Sequence, residues 1–353
     1  MRTCLLLLGT LQYLVRVPEP SPSPKRRGRL LRFGAACVVL SAVAGYVVVQ
    51  YVTGGTGDPG CRVVSGDANG TSYKFTPEQA VNAATIAAVG TDRAMPERAV
   101  AIALATAIQE SGLRNLAHGD RDSLGLFQQR PSQGWGTEQQ VTDPAYAANI
   151  FYEHLAKVRG YTELPLTVAA QRVQRSGYPE AYAKHEPDAT VLAAALTGTS
   201  AATLTCDGRA GATTSTGPAA VRAALARDFG QAARREASAA ESDSAAEGAS
   251  AAGARTPVME TSGRTVTLPV SEDTTGGGRS AGECGWQLAH WAVANASALR
   301  IERVSYAGRE WVSGNTDSKW RAIGATSAEA AGTSGGASGA GGDTGSVRIV
   351  TAQ

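Results

Sequence analysis

Residues 33–52, FGAACVVLSAVAGYVVVQYV, run on without one charged side chain. A helix of ~20 apolar residues rises ~30 Å, the thickness of a bilayer's hydrocarbon core. KRRGRLLR stands directly before this run, and no comparable basic cluster comes after it. Flanking cations stay on the cytoplasmic side. The expected topology is therefore a cytoplasmic segment over 1–32, a single transmembrane helix over 33–52, and an extracellular remainder in the cell membrane. An earlier apolar stretch, CLLLLGTLQYLV, is too short to span. AVA at 42–44 resembles a signal-peptide cleavage site, but it lies inside the apolar run, which favours an uncleaved anchor.

That topology governs how the cysteines are read. Cys61, Cys206 and Cys284 fall beyond the anchor, where disulfides persist. Cys61 and Cys206 bracket a helical stretch. A bond between them would close a loop of about 145 residues, for a gain of about 4–5 kcal/mol in the chain-entropy model. The alternative leaves each unpaired or bonded to Cys284. No CxxC pair occurs and the four histidines are scattered, so neither a metal nor a cofactor is expected. With 33 basic and 31 acidic residues the net charge is +2, which points away from nucleic acid as a partner.

Composition divides the rest. Residues 53–72 are rich in Gly, Asp, Ser and Thr and read as a linker. Residues 73–230 read as a helical domain. Residues 231–262 are Ala/Ser/Glu-rich and offer few large apolar groups to bury, so they read as a second linker. Residues 263–353 read as a small α/β module with a Gly/Ser-rich tail and a last strand at SVRIV, 346–350. Its Trp286, Trp291, Trp311 and Trp320 suit either a core or a binding face, for wall or for a cell-wall protein partner.

Within 73–230, TPEQ at 76–79 is a capping box, and its helix is expected to run to about Val89 and end at Gly90. A second helix starts at Pro96 and stops at Gly112; Asp143-Pro144 opens a third. Further helices are expected over 165–175, 188–197 and 218–229. No period-2 alternation is sustained, so the fold class is expected to be mainly α.

The second helix ends on AIQESGL, which places Glu110 in its last turn. A helix C-terminus is partially negative, and Ala107 and Ile108 limit hydration. Both effects favour the neutral carboxylic acid, the form a general acid needs. A solvated glutamate at a frayed helix end would show the same local sequence.

The residues downstream of Glu110 separate these two possibilities. Glu110-Ser111, then Gly125-Leu126-Phe127-Gln128 about fifteen residues on, then DPAYAANIFYEHL with Asn149, resemble three ordered motifs of the lysozyme-like lytic transglycosylases. Phe127 stands where that family has Met. The resemblance spans about residues 75–200. It implies a lysozyme-like helical domain whose cleft binds peptidoglycan glycan strands, with Glu110 as acid and then base. Ser111, Gly125, Leu126, Phe127, Gln128 and Asn149 would line the cleft and bind the substrate. The sugar's own 6-hydroxyl would attack, leaving an anhydro ring. The family's Tyr-Asn-Ala-Gly stretch is absent; Gln171, Gln174, Tyr178 and Tyr182 stand as substitutes, with Tyr182 as a candidate binding residue. Asp122 is a candidate second carboxylate for a hydrolytic mechanism, whereas Asp120 suits a turn. Trp135, in a Gly-rich loop, suits cleft lining or core equally. A catalytically inactive module that binds glycan or recruits wall enzymes is the rival reading.

Overall fold

The computed structural model describes residues 60–66, 70–178, 180–208, 216–230, 259–272, 278–314, 319–323 and 345–352. The chain divides into two compact units, Met1–Gly57 and Asp58–Gln353. The expected anchor at 33–52 lies outside the described residues, as does most of the 231–262 linker. No helix among the described residues is long and apolar enough to cross a membrane.

In chain order the second unit runs β1 (Cys61–Val64), β2 (Ser72–Phe75), α1 (Pro77–Asp92), α2 (Glu97–Ser111), α3 (Glu138–Val141), α4 (Pro144–Ala156), α5 (Leu166–Gln174), α6 (Glu186–Thr197), β3 (Leu204–Cys206) and α7 (Gly217–Phe229). It continues with β4 (Glu260–Ser262), β5 (Thr265–Pro269), α8 (Ala281–Ala294), α9 (Ala296–Leu299), β6 (Ile301–Tyr306), β7 (Arg309–Val312), β8 (Arg321–Ala322) and β9 (Ser346–Thr351).

The mainly-α expectation, a lysozyme-like helical domain plus a small α/β module, is corrected by two antiparallel sheets. One has the order β2-β1-β3, the other β4-β5-β9-β6-β7-β8. Among the described residues, helix accounts for about 47% and strand for about 18%. The reason lies in strand length and partner distance. β1 has four residues and β3 three, too few for alternation to register. They pair across most of the domain, Cys61 opposite Cys206, in chain that composition marks as linker or helix surroundings. The disulfide joins these same two residues. It closes the loop around α1 to α6 and ties the first strand to the last of its sheet.

α2 is the central helix. Every residue from Ala99 to Ile108 is buried, so the helix is apolar on all faces, as a helix enclosed by others must be. Its neighbours are α1, α5 and α6. α1 does not stop at Gly90; it continues to Asp92. Gly90 instead accommodates Tyr152: a Cβ there would sit 2.6 Å from the phenol oxygen. That hydroxyl donates to Ile86 O at 3.0 Å and fixes α4 across α1.

The C-terminal stretch shares this core. α8 lies with the six-stranded sheet and also against α1, α6 and β3. All four of its region's tryptophans are buried. Trp291 Nε1 donates to Asp228 at 2.8 Å, Trp311 Nε1 to Cys206 O at 3.0 Å and Trp320 Nε1 to Leu204 O at 2.9 Å. His290 Nδ1 donates to Ala195 O at 2.7 Å. Each of these three indoles thus buries a large ring and satisfies its N–H on an element of the helical half. The tryptophans are core, with no face left for a ligand.

Candidate functional site

The end of α2 is held by α1 and by its own turn. Gly112, at φ 61°, terminates the helix, its N–H returning to Ile108 O while Leu113 N–H returns to Ala107 O. Gln79 Nε2 donates to Gly112 O at 2.7 Å and Asn82 Nδ2 to Leu113 O at 2.8 Å. Carbonyls that a helix end leaves without partners are thereby satisfied from a neighbouring helix. The last turn of α2, with Glu110 on it, cannot fray freely.

Ser111 is buried and donates to Ala107 O at 3.0 Å and to Leu126 O at 2.8 Å. It clamps the turn at 125–128 to the helix end instead of facing a ligand. Gly125 has φ 76°, and a Cβ there would lie 2.1 Å from Val141 O. Leu126 and Phe127 are fully buried, Phe127 stacking on Phe151 at 4.7 Å between ring centroids. Of this motif only Gln128 reaches the cleft; its Nε2 donates to Gly125 O and its Oε1 accepts from Ser123. The expected role of Ser111, Gly125, Leu126 and Phe127 as direct binding residues thus gives way to a scaffolding one. Asn149 is also elsewhere: it accepts from Arg93 and is not among the residues that line the cavity.

Glu110 lines a cavity of about 830 Å³, together with Gln128, Gln129, Trp135, Gln174 and Tyr178. Tyr182 is fully buried, and its hydroxyl donates to Glu110 Oε1 at 2.6 Å. Gln174 also faces the carboxylate and donates through Nε2 to Phe127 O at 2.7 Å. Burial pushes the Glu110 pKa above the ordinary carboxylate value, and the hydrogen bonds from Tyr182 and Gln174 pull it only part of the way back. The Tyr182 phenol is held well above its usual range, by burial first and then by the nearby Glu110, so it remains a donor. Glu110 thus meets the phenol through Oε1 while lining the cavity.

Of the four substitutes for the missing tyrosine stretch, Tyr182 and Gln174 meet Glu110. Gln171 donates to Ser176 O at 2.8 Å, and Tyr178 is 79% exposed at the cavity rim. Asp122 accepts from Arg130 Nε and from Ser132 N–H, each at 2.8 Å. These contacts hold its carboxyl well below the usual range and spend it on bracing the loop. It does not line the cavity. Asp120 does, with its side chain 93% exposed.

Trp135 is half-buried against His154, with ring centroids 4.3 Å apart. Both line the cavity. Burial lowers the His154 pKa, and the charge of Lys157 lowers it further. His154, Lys157, Arg172 and Arg175 are cavity residues that no sequence motif singles out. Position along α4 and α5 was the available signal: these residues sit at or beside the two helix C-termini that face the 112–134 loop.

In comparisons with known proteins, no family model matches the chain and no curated protein matches its sequence.

Proposed function

We propose that this chain cleaves peptidoglycan glycan strands in the manner of a lytic transglycosylase, with Glu110 as the single general acid and base. The observation that carries the reading is a carboxyl kept toward its neutral form by burial, oriented by Tyr182, and open to a cavity large enough for sugar rings. In the first step the Glu110 carboxyl gives its proton to the glycosidic oxygen as the bond from that oxygen to C1 breaks. The resulting carboxylate then takes the proton of the same sugar's 6-hydroxyl while O6 bonds to C1. The proton inventory closes on Glu110, and the product carries a 1,6-anhydro ring.

Two features favour this route over water attack. Asp122 is committed to Arg130 and Ser132, away from the cavity. Asp120 is nearly fully exposed at the cavity rim beside Arg121, rather than enclosed where it could hold a water against the sugar. A mechanism that asks for one protein carboxylate suits this arrangement; an inverting hydrolase asks for two, with water between them.

The activity belongs outside the cell membrane in this reading. The basic-flanked run at 33–52 supports a single-pass anchor with a cytoplasmic N-terminus, and the Cys61–Cys206 bond fits an oxidising exterior. The test is muropeptide release by the compact unit Asp58–Gln353 against its Glu110→Gln form, with products read by mass. Anhydro-ended fragments from the wild type alone are expected. Equal background release from both proteins would leave the chain a glycan binder without catalysis.

A further inference from the structure

The cavity walls are strongly cationic in a chain whose net charge is only +2. Arg121, Arg130, Lys157, Arg172 and Arg175 all line it. Against them stand Glu110, biased toward its neutral form, and Asp120 at the rim. The cations are not equally engaged. Arg130 is paired with Asp122 at 2.8 Å and Lys157 with Glu153 at 2.8 Å, while Asp120 is 3.9 Å from Arg121. Arg172 and Arg175 form no ion pair among the described residues, and both are exposed.

These two arginines stand three residues apart at the end of α5, one in its last turn and the other at its C-cap, and both line the cavity. Arg175 closes the helix at φ 53°, in the left-handed conformation where glycine or asparagine is the usual choice. A guanidinium is kept there at some backbone cost, in the wall of a cavity, and such outliers gather at functional positions. Lys157 and Arg175 both act on His154 through space, which brings the end of α4 and the end of α5 together around one charge cluster. Guanidinium groups bind carboxylates with paired, directional N–H donors.

Resting on the glycan-cleaving reading above, we propose that Arg172 and Arg175, with Lys157 beside them, form an anion subsite that takes a carboxylate carried by a substituent of the glycan strand. A neutral amino-sugar polymer lacks this group. Two carboxylate sources share the chemistry: the stem peptide, and the lactyl ether left when that peptide is removed.

Binding is measured with the full-length Glu110→Gln protein, so that no ligand is consumed. Three ligands are titrated: peptide-bearing strands, strands stripped of peptide by an amidase, and neutral N-acetylglucosamine oligomers. Arg172→Gln/Arg175→Gln in that background is expected to weaken peptide-bearing strands by about tenfold and to flatten the salt dependence. Neutral oligomers should bind unchanged. An Arg62→Gln/Arg222→Gln control removes equal charge outside the cavity and should alter nothing. A loss on peptide-bearing strands alone assigns the carboxylate to the stem peptide; a loss on stripped strands alone assigns it to the lactyl group, which is ionised only there; a loss on both means the subsite takes either. Equal loss for neutral and anionic ligands, or no loss beyond the control, overturns the subsite alone. No binding of any strand by the parent protein overturns the glycan reading and the subsite with it.

Discussion

Among the described residues, two acidic side chains invite comparison: Glu110, part-buried at the cavity, and Asp228, completely buried where α7 meets α1 and α8. Asp228 is completely buried, yet each oxygen is met: Arg227 Nε at 2.8 Å on Oδ1, and Trp291 Nε1 at 2.8 Å, Arg227 Nη2 at 3.2 Å and Thr85 Oγ1 at 3.3 Å on Oδ2. Glu110 meets no cation in an ion pair among the described residues and takes its shortest hydrogen bond from a neutral phenol. A buried carboxyl with a guanidinium and an indole N–H at its oxygens fastens three helices together. Glu110, met by the neutral side chains of Tyr182 and Gln174 and open to the cavity, is the one proposed as the acid. The chemistry of the partners is what sets the two carboxyls apart.

Glu110→Gln should have the largest effect. Loss of a positioned acid costs about 10²–10⁴ in rate, so muropeptide release should fall by about that factor while circular dichroism and the unfolding transition remain those of a folded protein. Asp228→Ala should invert the pattern. It leaves Trp291 Nε1 and Thr85 Oγ1 buried without their acceptor and removes the two hydrogen bonds that Arg227 makes to Asp228. A stability loss of about 3–5 kcal/mol is expected in urea unfolding, with turnover per folded molecule unchanged. A rate loss without a stability loss at Asp228 would erase the distinction between the two acids.

Tyr182→Phe sharpens the comparison by altering the partner and keeping the acid. The phenol's hydrogen bond favours the charged carboxylate, so its removal should raise the Glu110 pKa further. The limb of the rate profile that falls as pH rises, where the acid loses its proton, should move to higher pH. The maximal rate should drop by about tenfold from lost orientation. A drop with an unmoved limb would make Tyr182 a packing residue only.

Distance along the chain decides how much of the fold and the site is legible in the sequence. Thr76 with Gln79, Asp143 with Pro144, and Gly112 announce helix ends locally, and the helices begin or end there. Glu110 announces itself by sitting in a last turn next to Ala107 and Ile108. The sheets do not, because β1 finds β3 and β5 finds β9 only after long excursions, with registers such as Cys61 opposite Cys206 and Val266 opposite Ile349. Tyr182 is 72 residues from Glu110 and comes after α5 through a turn with no periodic pattern to aim it. Asn149 fails for a related reason: rotation about α4 carries it to Arg93, and no sequence spacing fixes that rotation by itself. The tryptophans of α8 and β7 read equally as face or core because an amphipathic pattern identifies the apolar side without saying what covers it.

The smallest effect expected concerns stability, and it is the one in which Glu110 acts against the fold. A folded-state pKa raised above the unfolded value means the native protein binds the proton more tightly than the unfolded chain does. The associated stability is fully present below the unfolded pKa, near 4.5, and is lost as pH rises through the folded pKa. At neutral pH, above the unfolded value, the raised pKa therefore costs the wild type stability that an uncharged side chain would not lose. Glu110→Gln removes the charge and keeps an oxygen to accept from Tyr182. Its melting temperature should exceed the wild type's at pH 7, and the two should converge as pH falls below about 4.5. Asp228→Asn, which discards a charge that is paired, should be less stable than wild type at pH 7. If Glu110→Gln is also less stable at pH 7, the two carboxylates play the same part, and Glu110 is one more brace of the core.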